Sequence, residues 1–390
     1  MQYKEAVVLI PGFLGFGRLG GFYYFADRVA SMLRGALEER LGTAVPVVPV
    51  PTLPTGALVD RQRALGRYLG RLACKAGIDR FHLVGHSTGG VDAQLFSCTE
   101  PLSPSEPWKE IDPMGARDRI ASVVTIGSPH FGTCMTESPV SRFLRHPRPR
   151  PRQLAQVASL VRALGPVVAR DPTIREAAAG ASSATWEAWK FLSQAVRDRR
   201  LLSDLTPCAM ARHRETKKLL PHVRVTCFAV VAAVASDGRR ADPFFHRLHL
   251  STALGAGACD ASAEVEEALR RLSGLGEAQV IKSPRTSLPT LDLGANDGIV
   301  NTSRQVLPDA ALGGLVVADH ADVLGHYERR DPLRDDQPIS AGLLHSGSAF
   351  GDDEFFTLYA RVADAIVPHV ASPTTRGRPF PRREATARID

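Results

Sequence analysis

The first third of the chain alternates short apolar, β-branched runs with longer segments of helical period, the pattern of βαβ units that build a parallel sheet. Residues 7–10 read as a strand, followed by a Gly-rich loop, a helix over 25–41, a strand over 45–50 and a second helix over 58–75. The run Phe81-His82-Leu83-Val84 predicts the next strand, bounded by Gly85. A helix over 90–97 and an apolar strand over 120–126 come after it. Between 138 and 219 the alternation stops and the chain turns helical and basic, with Trp186, Trp189 and Phe191 set among Ala and Arg, as expected of an inserted cap. Strand character returns at 223–233, and 261–275 reads as an amphipathic helix. Residues 291–301 read as strand plus loop, 314–317 as the last short strand and 353–370 as a closing helix. The expected organisation is an α/β core in two parts, 1–137 and 221–370, with a mostly parallel sheet covered on both faces by helices. A helical cap over 138–220 interrupts it, and a basic tail over 371–390 is too poor in apolar residues to pack.

Composition sets limits on this picture. A chain of 390 residues that is 44% hydrophobic can bury a large core. The formal charge of +7 lies largely in the Arg/Pro stretch at 145–152 and in the tail, where it reads as solvated surface, so no nucleic-acid partner is expected. Met1 is followed almost at once by the apolar run of the first strand, which leaves no room for a leader, and a soluble cytoplasmic chain is the expectation. No run of about 18 apolar residues suggests a transmembrane segment. Cys74, Cys98, Cys134, Cys208, Cys227 and Cys259 lack CxxC spacing, so buried free thiols are expected rather than a zinc site or redox pair.

The chemistry begins at Gly85-His86-Ser87-Thr88-Gly89. A GxSxG pentapeptide is weak alone, but here it follows an apolar strand and opens a helix, the setting in which a sharp turn presents a nucleophilic serine. Ser87 is therefore the candidate nucleophile, with glycines where Cβ atoms would crowd the turn. Acyl transfer also needs backbone N–H donors for the oxyanion of the tetrahedral intermediate. One comes from the residue after the nucleophile, Thr88. The other comes from the loop after an early strand, where Pro11-Gly12-Phe13-Leu14-Gly15 places Phe13.

A serine hydroxyl needs a histidine to take its proton, and the histidine a carboxylate to orient it. The order Ser, acid, His requires a late histidine. His86 and His130 lie too near the serine in sequence, and His146, His213 and His222 fall in or beside the cap. His320, in Ala318-Asp319-His320-Ala321-Asp322 just past the last short strand, is the candidate base, with His326 and His345 as rivals. Asp297, in Asn296-Asp297-Gly298-Ile299-Val300, is the best carboxylate. Asp292 lies nearer the strand, and Asp319 and Asp322 are expected to make loop hydrogen bonds.

With these pieces placed, the sequence resembles the bacterial triacylglycerol lipases of the Pseudomonas and Burkholderia type, within the α/β-hydrolase superfamily. Gly85–Gly90 matches an elbow of the form GHSxGG, and Thr125-Ile126-Gly127-Ser128-Pro129-His130-Phe131-Gly132 matches TIGTPHxG. Asp297 matches the acid of an NDGxV motif and His320 the base of an HxDxV motif. The resemblance covers about half the chain and implies an α/β-hydrolase fold. It further implies ester hydrolysis on hydrophobic, acyl-chain or polyester-like substrates, with transient contact at a lipid interface. No cofactor is required. The family's secreted members hold calcium near the histidine, and Asp322 matches one ligand position. No Asp occurs between Arg271 and Leu291, however, and Glu277 could only substitute. His326 stands where an amide is expected, so structural calcium is not expected here. The family's disulfide has no cysteine counterpart, and Pro11 stands where the family has His. Transfer of the same acyl group to an alcohol or amine, or a catalytically silent lipid-binding module, are the alternatives.

Overall fold

A computed structural model of the chain describes residues 4–13, 18–19, 22–103, 105–137, 200–215, 217–233, 243–259, 261–331, 337–340, 344 and 346–371. His146, Trp186, Trp189, Phe191 and His345, most of the expected cap and the tail beyond 371 lie outside them.

In chain order the elements are β1 (Glu5–Ile10), β2 (Arg18–Leu19), β3 (Phe22–Tyr23), α1 (Asp27–Leu41), β4 (Val47–Pro49), α2 (Leu58–Ala76), β5 (Arg80–His86) and α3 (Thr88–Phe96). There follow α4 (Trp108–Ile111), β6 (Ile120–Ile126), α5 (Arg200–Asp204), α6 (Pro207–Glu215), β7 (Arg224–Val231), α7 (Pro243–Ala256) and α8 (Ala263–Ser273). The last are β8 (Val280–Ile281), β9 (Ala311–Val317), β10 (Arg329–Asp331), β11 (Gln337–Ser340) and α9 (Asp352–Ile366). Among the described residues seven strands form one sheet in the order β4-β1-β5-β6-β7-β9-β8, every neighbouring pair parallel. β2 with β3 and β10 with β11 are small antiparallel pairs.

The strands at the centre are continuous apolar runs because both of their faces are covered. Alternate residues serve opposite layers. Val7, Leu9, Val84, Val124 and Phe228 pack with Val29, Leu33 and Leu37 of α1 and with Phe355, Tyr359 and Val362 of α9. Ala6, Val8, Leu83 and Val123 pack with Leu65 and Leu69 of α2 and with Phe96 of α3. Farther along the sheet Ala229, Val231, Leu315 and Val317 meet Ala268 and Leu272 of α8. The spacing Val29-Leu33-Leu37 puts one apolar stripe on α1, and the helix ends where Gly42 turns left-handed at φ 64° and returns its N–H to the Glu38 carbonyl.

Four expectations need correction. The strand expected within 291–301 does not form, because the Asp292 carboxylate accepts the N–H groups of Gly294 and Ala295, each at 2.8 Å, and turns the chain at once. The strand at 314–317 begins earlier, at Ala311, and is not the last, since β10 and β11 follow it. Helix α7 and strand β8 were not anticipated. The cysteines are not uniformly buried, as Cys74 and Cys208 are exposed. The end of the expected cap, α5 and α6, packs on the core: Leu201, Leu205 and Met210 join Leu58 of α2 and Val91 and Leu95 of α3.

The turn between β5 and α3 is sharp, with Ser87 alone between strand and helix. Ser87 has φ 54° and ψ −131°, a left-handed conformation for a residue with a Cβ that costs on the order of 1–3 kcal/mol. The surroundings hold it there. A Cβ on Gly85 would lie 2.4 Å from the Gly90 Cα, and one on Gly89 would lie 2.0 Å from the Ile10 carbonyl oxygen. Parallel strands flanked by helices on both faces, with a strained serine between strand and helix, define the architecture. The chain has an α/β-hydrolase fold.

Candidate active site

Phe13, Ser87 and His320 sit where strands β1, β5 and β9 release the chain into loops, and Asp297 lies on the loop between β8 and β9, beside the end of β7, where the Asn296 carbonyl accepts the Ala232 N–H (3.0 Å), so all are gathered at the C-terminal end of the parallel sheet. Ser87 follows β5, and its N–H donates to the Ile126 carbonyl at the end of β6 (2.9 Å). The loop after β1 passes directly over it. A Cβ on Gly12 would fall 2.6 Å from the Ser87 Cβ, so only glycine lets this loop come so close. Phe13, next in sequence, packs against the cluster of Leu58, Val91 and Leu95, and Thr88 is the buried first residue of α3.

Asp297 is fully buried, and its carboxylate is saturated by donors. Oδ1 accepts the N–H groups of Ile299 (2.9 Å) and Val300 (2.8 Å), and Oδ2 accepts Gln305 Nε2 (3.2 Å) and His320 Nδ1 (2.7 Å). The His320 N–H also donates to the Asp297 carbonyl at 3.0 Å. With the Nδ1 proton given to the carboxylate, the ring's lone pair lies on Nε2. Gly127 lies beside this pair. It has φ 58°, and a Cβ there would lie 3.4 Å from Asp297 Oδ2 and 3.6 Å from His320 Nδ1.

The segment around Ser128-Pro129-His130 braces the acid loop. The hydroxyl of Thr133 donates to the Ile299 carbonyl (2.5 Å), and the Phe131 N–H donates to the Arg304 carbonyl (3.2 Å). His130 is buried against Thr125 Oγ1 at 3.1 Å, and burial, with Arg214 adding to it, pushes its pKa down to about 3, so it stays neutral and structural.

Two residues that sequence reasoning passed over belong to the site. The His86 ring lies 4.5 Å from the His320 ring, centroid to centroid. Its Nδ1 is hydrogen-bonded to the Tyr24 hydroxyl at 2.7 Å, and burial first, then the charges of His320 and His326, holds its pKa well below the usual histidine value. The Tyr24 hydroxyl also takes a hydrogen bond from the Gly12 backbone. Tyr24 thus ties the loop after β1 to the turn that carries Ser87. The only sequence signal was the histidine beside the serine, and its tyrosine partner is 62 positions away. Of the rival bases, His326 is engaged with the Tyr24 carbonyl at 2.9 Å. His213 lies on α6, half-buried and pushed down to about 4 by burial and then by Lys217 and Arg212.

Asp319 and Asp322 make loop hydrogen bonds. Asp319 Oδ1 accepts the N–H groups of Ala321 (2.9 Å) and Asp322 (3.0 Å), and Asp322 Oδ2 accepts the Asp319 N–H (3.0 Å). Burial raises both carboxyls, Asp319 to about 7. The Asp322 carboxylate is turned inward, and among the described residues no three His, Cys, Asp or Glu side chains converge as a metal site.

No family model and no curated protein matches the chain. Among solved structures it is similar to EstA from Clostridium botulinum, at 16% identity and TM-score 0.49 over 94% of this chain and 87% of that one. Lipase 1 from Pelosinus fermentans gives 14% identity and TM-score 0.47 over 93% and 99%. The mature Bacillus licheniformis lipase BlEst2 gives 15% and 0.40 over 82% and 86%. Among the described residues no helix is long and apolar enough to cross a membrane.

Proposed function

We propose that the chain is a serine hydrolase of carboxylic esters, lipase-like in its preference for hydrophobic acyl groups. The observation that carries this reading is the 2.7 Å Asp297–His320 pair, held against His86 and so beside a serine kept in a left-handed conformation. His320 Nε2 takes the Ser87 proton as Oγ attacks the ester carbonyl. The oxyanion is received by the N–H groups of Phe13 and Thr88, and the protonated His320 then gives its proton to the leaving alcohol. Water, deprotonated by the same ring, releases the acid from the acyl-enzyme. Phe13 packs on the buried cluster of Leu58, Val91, Leu95, Leu205 and Met210, which anchors the oxyanion loop. The test is turnover of p-nitrophenyl esters across a chain-length series, with a fluorophosphonate probe mapped by mass spectrometry. Hydrolysis rising with acyl length and an adduct on Ser87 are expected. Hydrolysis no faster than in buffer at every length, without an adduct, would sink the reading. A competing alcohol at low concentration that captures nearly all of the acyl group would identify a transferase instead.

A buried ion pair supports the oxyanion assignment. Arg61 and Asp92 are both almost wholly buried, with Arg61 Nε 2.8 Å from Asp92 Oδ2. The guanidinium spends its other protons on three carbonyls, those of Pro11 (2.7 Å), Leu53 (2.5 Å) and, longer, Gly12 (3.5 Å). In a trans peptide the C=O and the next N–H point in opposite directions. Holding the Gly12 carbonyl toward Arg61 therefore aims the Phe13 N–H away from it. Arg61 is a positioning residue in this reading. Arg61→Met is expected to lower kcat about 10- to 100-fold with KM little changed, by misplacing one oxyanion donor. The inhibition constant of a trifluoromethyl ketone should rise in the same proportion, and Arg61→Lys should restore part of both. A fall in melting temperature with kcat and inhibitor affinity intact would reduce Arg61 to a prop of the fold.

A further inference from the structure

Two thiols outside the active site form a pair that the spacing of the cysteines did not suggest. Cys134 is buried and opens the short 3-10 turn Cys134–Glu137, just after the segment that braces the acid loop. Helix α7 runs up against it. A Cβ on Gly255 would lie 2.1 Å from the Cys134 carbonyl oxygen, so this is the point of closest backbone approach. The helix then ends, and two turn bonds curl the chain back: the Ala258 N–H donates to the Gly255 carbonyl (3.0 Å) and the Cys259 N–H to the Ala256 carbonyl (3.1 Å). That return brings the half-buried Cys259 thiol into hydrogen-bonding contact with the Cys134 thiol. Other thiols have other neighbours, Cys98 the Gln94 carbonyl at 3.3 Å and Cys227 the His130 ring at 4.0 Å.

We propose that Cys134 and Cys259 are a disulfide-forming pair, a redox-dependent staple between the turn after β6 and the end of α7. With glutathione disulfide as oxidant the step balances. The Cys259 thiolate attacks the oxidant and forms a mixed disulfide, releasing one glutathione. The Cys134 sulfur then attacks the Cys259 sulfur and releases the second. Two thiol protons and two electrons leave the protein, one S–S bond forms in it, and one is broken in the oxidant. Cys259 is the entry sulfur because it reaches solvent, whereas Cys134 is buried and its thiol is held protonated by the hydrogen bond with Cys259 and by burial.

The staple closes around the loop of Asp297. The Cys134 N–H donates to Asn301 Oδ1 (3.1 Å), and Asn301 Nδ2 reaches the Thr252 carbonyl of α7 (3.4 Å). The Thr252 hydroxyl donates to the Gly298 carbonyl (3.1 Å), and Asn296 Nδ2 to the His249 carbonyl (3.2 Å). Both ends of the acid loop are therefore fastened to the two elements the disulfide would join. Oxidation would shorten the denatured chain's freedom across the long segment between the cysteines and leave the acid loop in place.

The experiment uses the full chain incubated with millimolar glutathione disulfide, then alkylated, digested and mapped. A Cys134–Cys259 cross-linked peptide is expected, with an intact mass lower by two hydrogens and a melting temperature several degrees above that of the dithiothreitol-treated protein. Cys134→Ser and Cys259→Ser should each abolish the mass change and the shift. Both cysteines recovered alkylated, glutathione left on Cys259 without closure, or a cross-link that instead uses exposed Cys74 or Cys208 would overturn the proposal. The wild-type map decides even if a variant folds poorly.

Discussion

Ser87→Ala is expected to abolish ester turnover, lowering kcat by about 10⁴- to 10⁶-fold, to the level left by substrate binding and the oxyanion donors alone. The size of the effect follows from what is removed. In the proposed mechanism Oγ is the bond-forming atom, and the water that could replace it lacks both its fixed position and its proton acceptor's alignment. The fold should survive. Alanine suffers the same left-handed cost at φ 54° that serine does, and among the described residues no hydrogen bond of the Ser87 side chain supports the turn, which is set by Gly85, Gly89 and Gly90 against their neighbours. Initial rates on a medium-chain p-nitrophenyl ester, with circular dichroism of the same sample, check both halves. Turnover within tenfold of wild type would place the nucleophile elsewhere.

Asp297→Asn should cost about 10⁴-fold in kcat, nearly as much as loss of the serine, although it changes one atom and no volume. Four donors point at this carboxylate. An amide nitrogen at the Oδ1 position would face the Ile299 and Val300 N–H groups, so the side chain is driven to put it at the Oδ2 position. There it faces Gln305 Nε2 and His320 Nδ1. Gln305 cannot turn over to help, because its Oε1 accepts the Val230 N–H at 2.6 Å. His320 must then accept at Nδ1 and carry its proton on Nε2, where it can no longer take one from Ser87. A stability loss of about 1–3 kcal/mol should accompany this, from the introduced amide proton left facing Gln305 Nε2, which itself keeps the Val230 and Val300 carbonyls. Steady-state kinetics and the ring's nitrogen NMR shifts check the two claims. A loss under tenfold with the tautomer unchanged would exclude Asp297 as the acid.

Much of this layout was legible because it is written locally. Continuous runs such as Val7–Leu9 and 120–126 can only be strands buried on both faces, and Gly85 and Gly89 mark a turn that tolerates no side chain. The limits of elements were less legible. β5 runs on through Gly85 and His86 because they pair with Thr125 and Ile126 across the sheet, which no local pattern records. Near 291 the alternation Leu291-Asp292-Leu293 imitates a strand, and it fails because Asp292 captures the two N–H groups that a strand would have offered to a neighbour. In the site, Asp297 and His320 carry motif neighbours and could be named. Tyr24, Arg61, Asp92 and Gln305 could not, since each acts through a contact made only once distant segments meet. The Cys134 and Cys259 thiols were hidden for the same reason.

The glycines that admit the loop after β1 also decide where this protein can change. At Gly85 and Gly89 one added carbon would come within 2.4 Å of backbone, at Gly12 it would lie 2.6 Å from the Ser87 Cβ, and at Gly90 it would meet the Ser128 hydroxyl at 2.0 Å. That side of the candidate site is closed to mutational drift, since no small step leads away from it. Room for variation lies in the buried core behind the oxyanion loop, among Leu58, Leu95, Leu201 and Met210, where one aliphatic side chain can be exchanged for another of similar volume. A library built on this chain therefore leaves these glycines alone and begins with volume-conserving exchanges in the layer behind them.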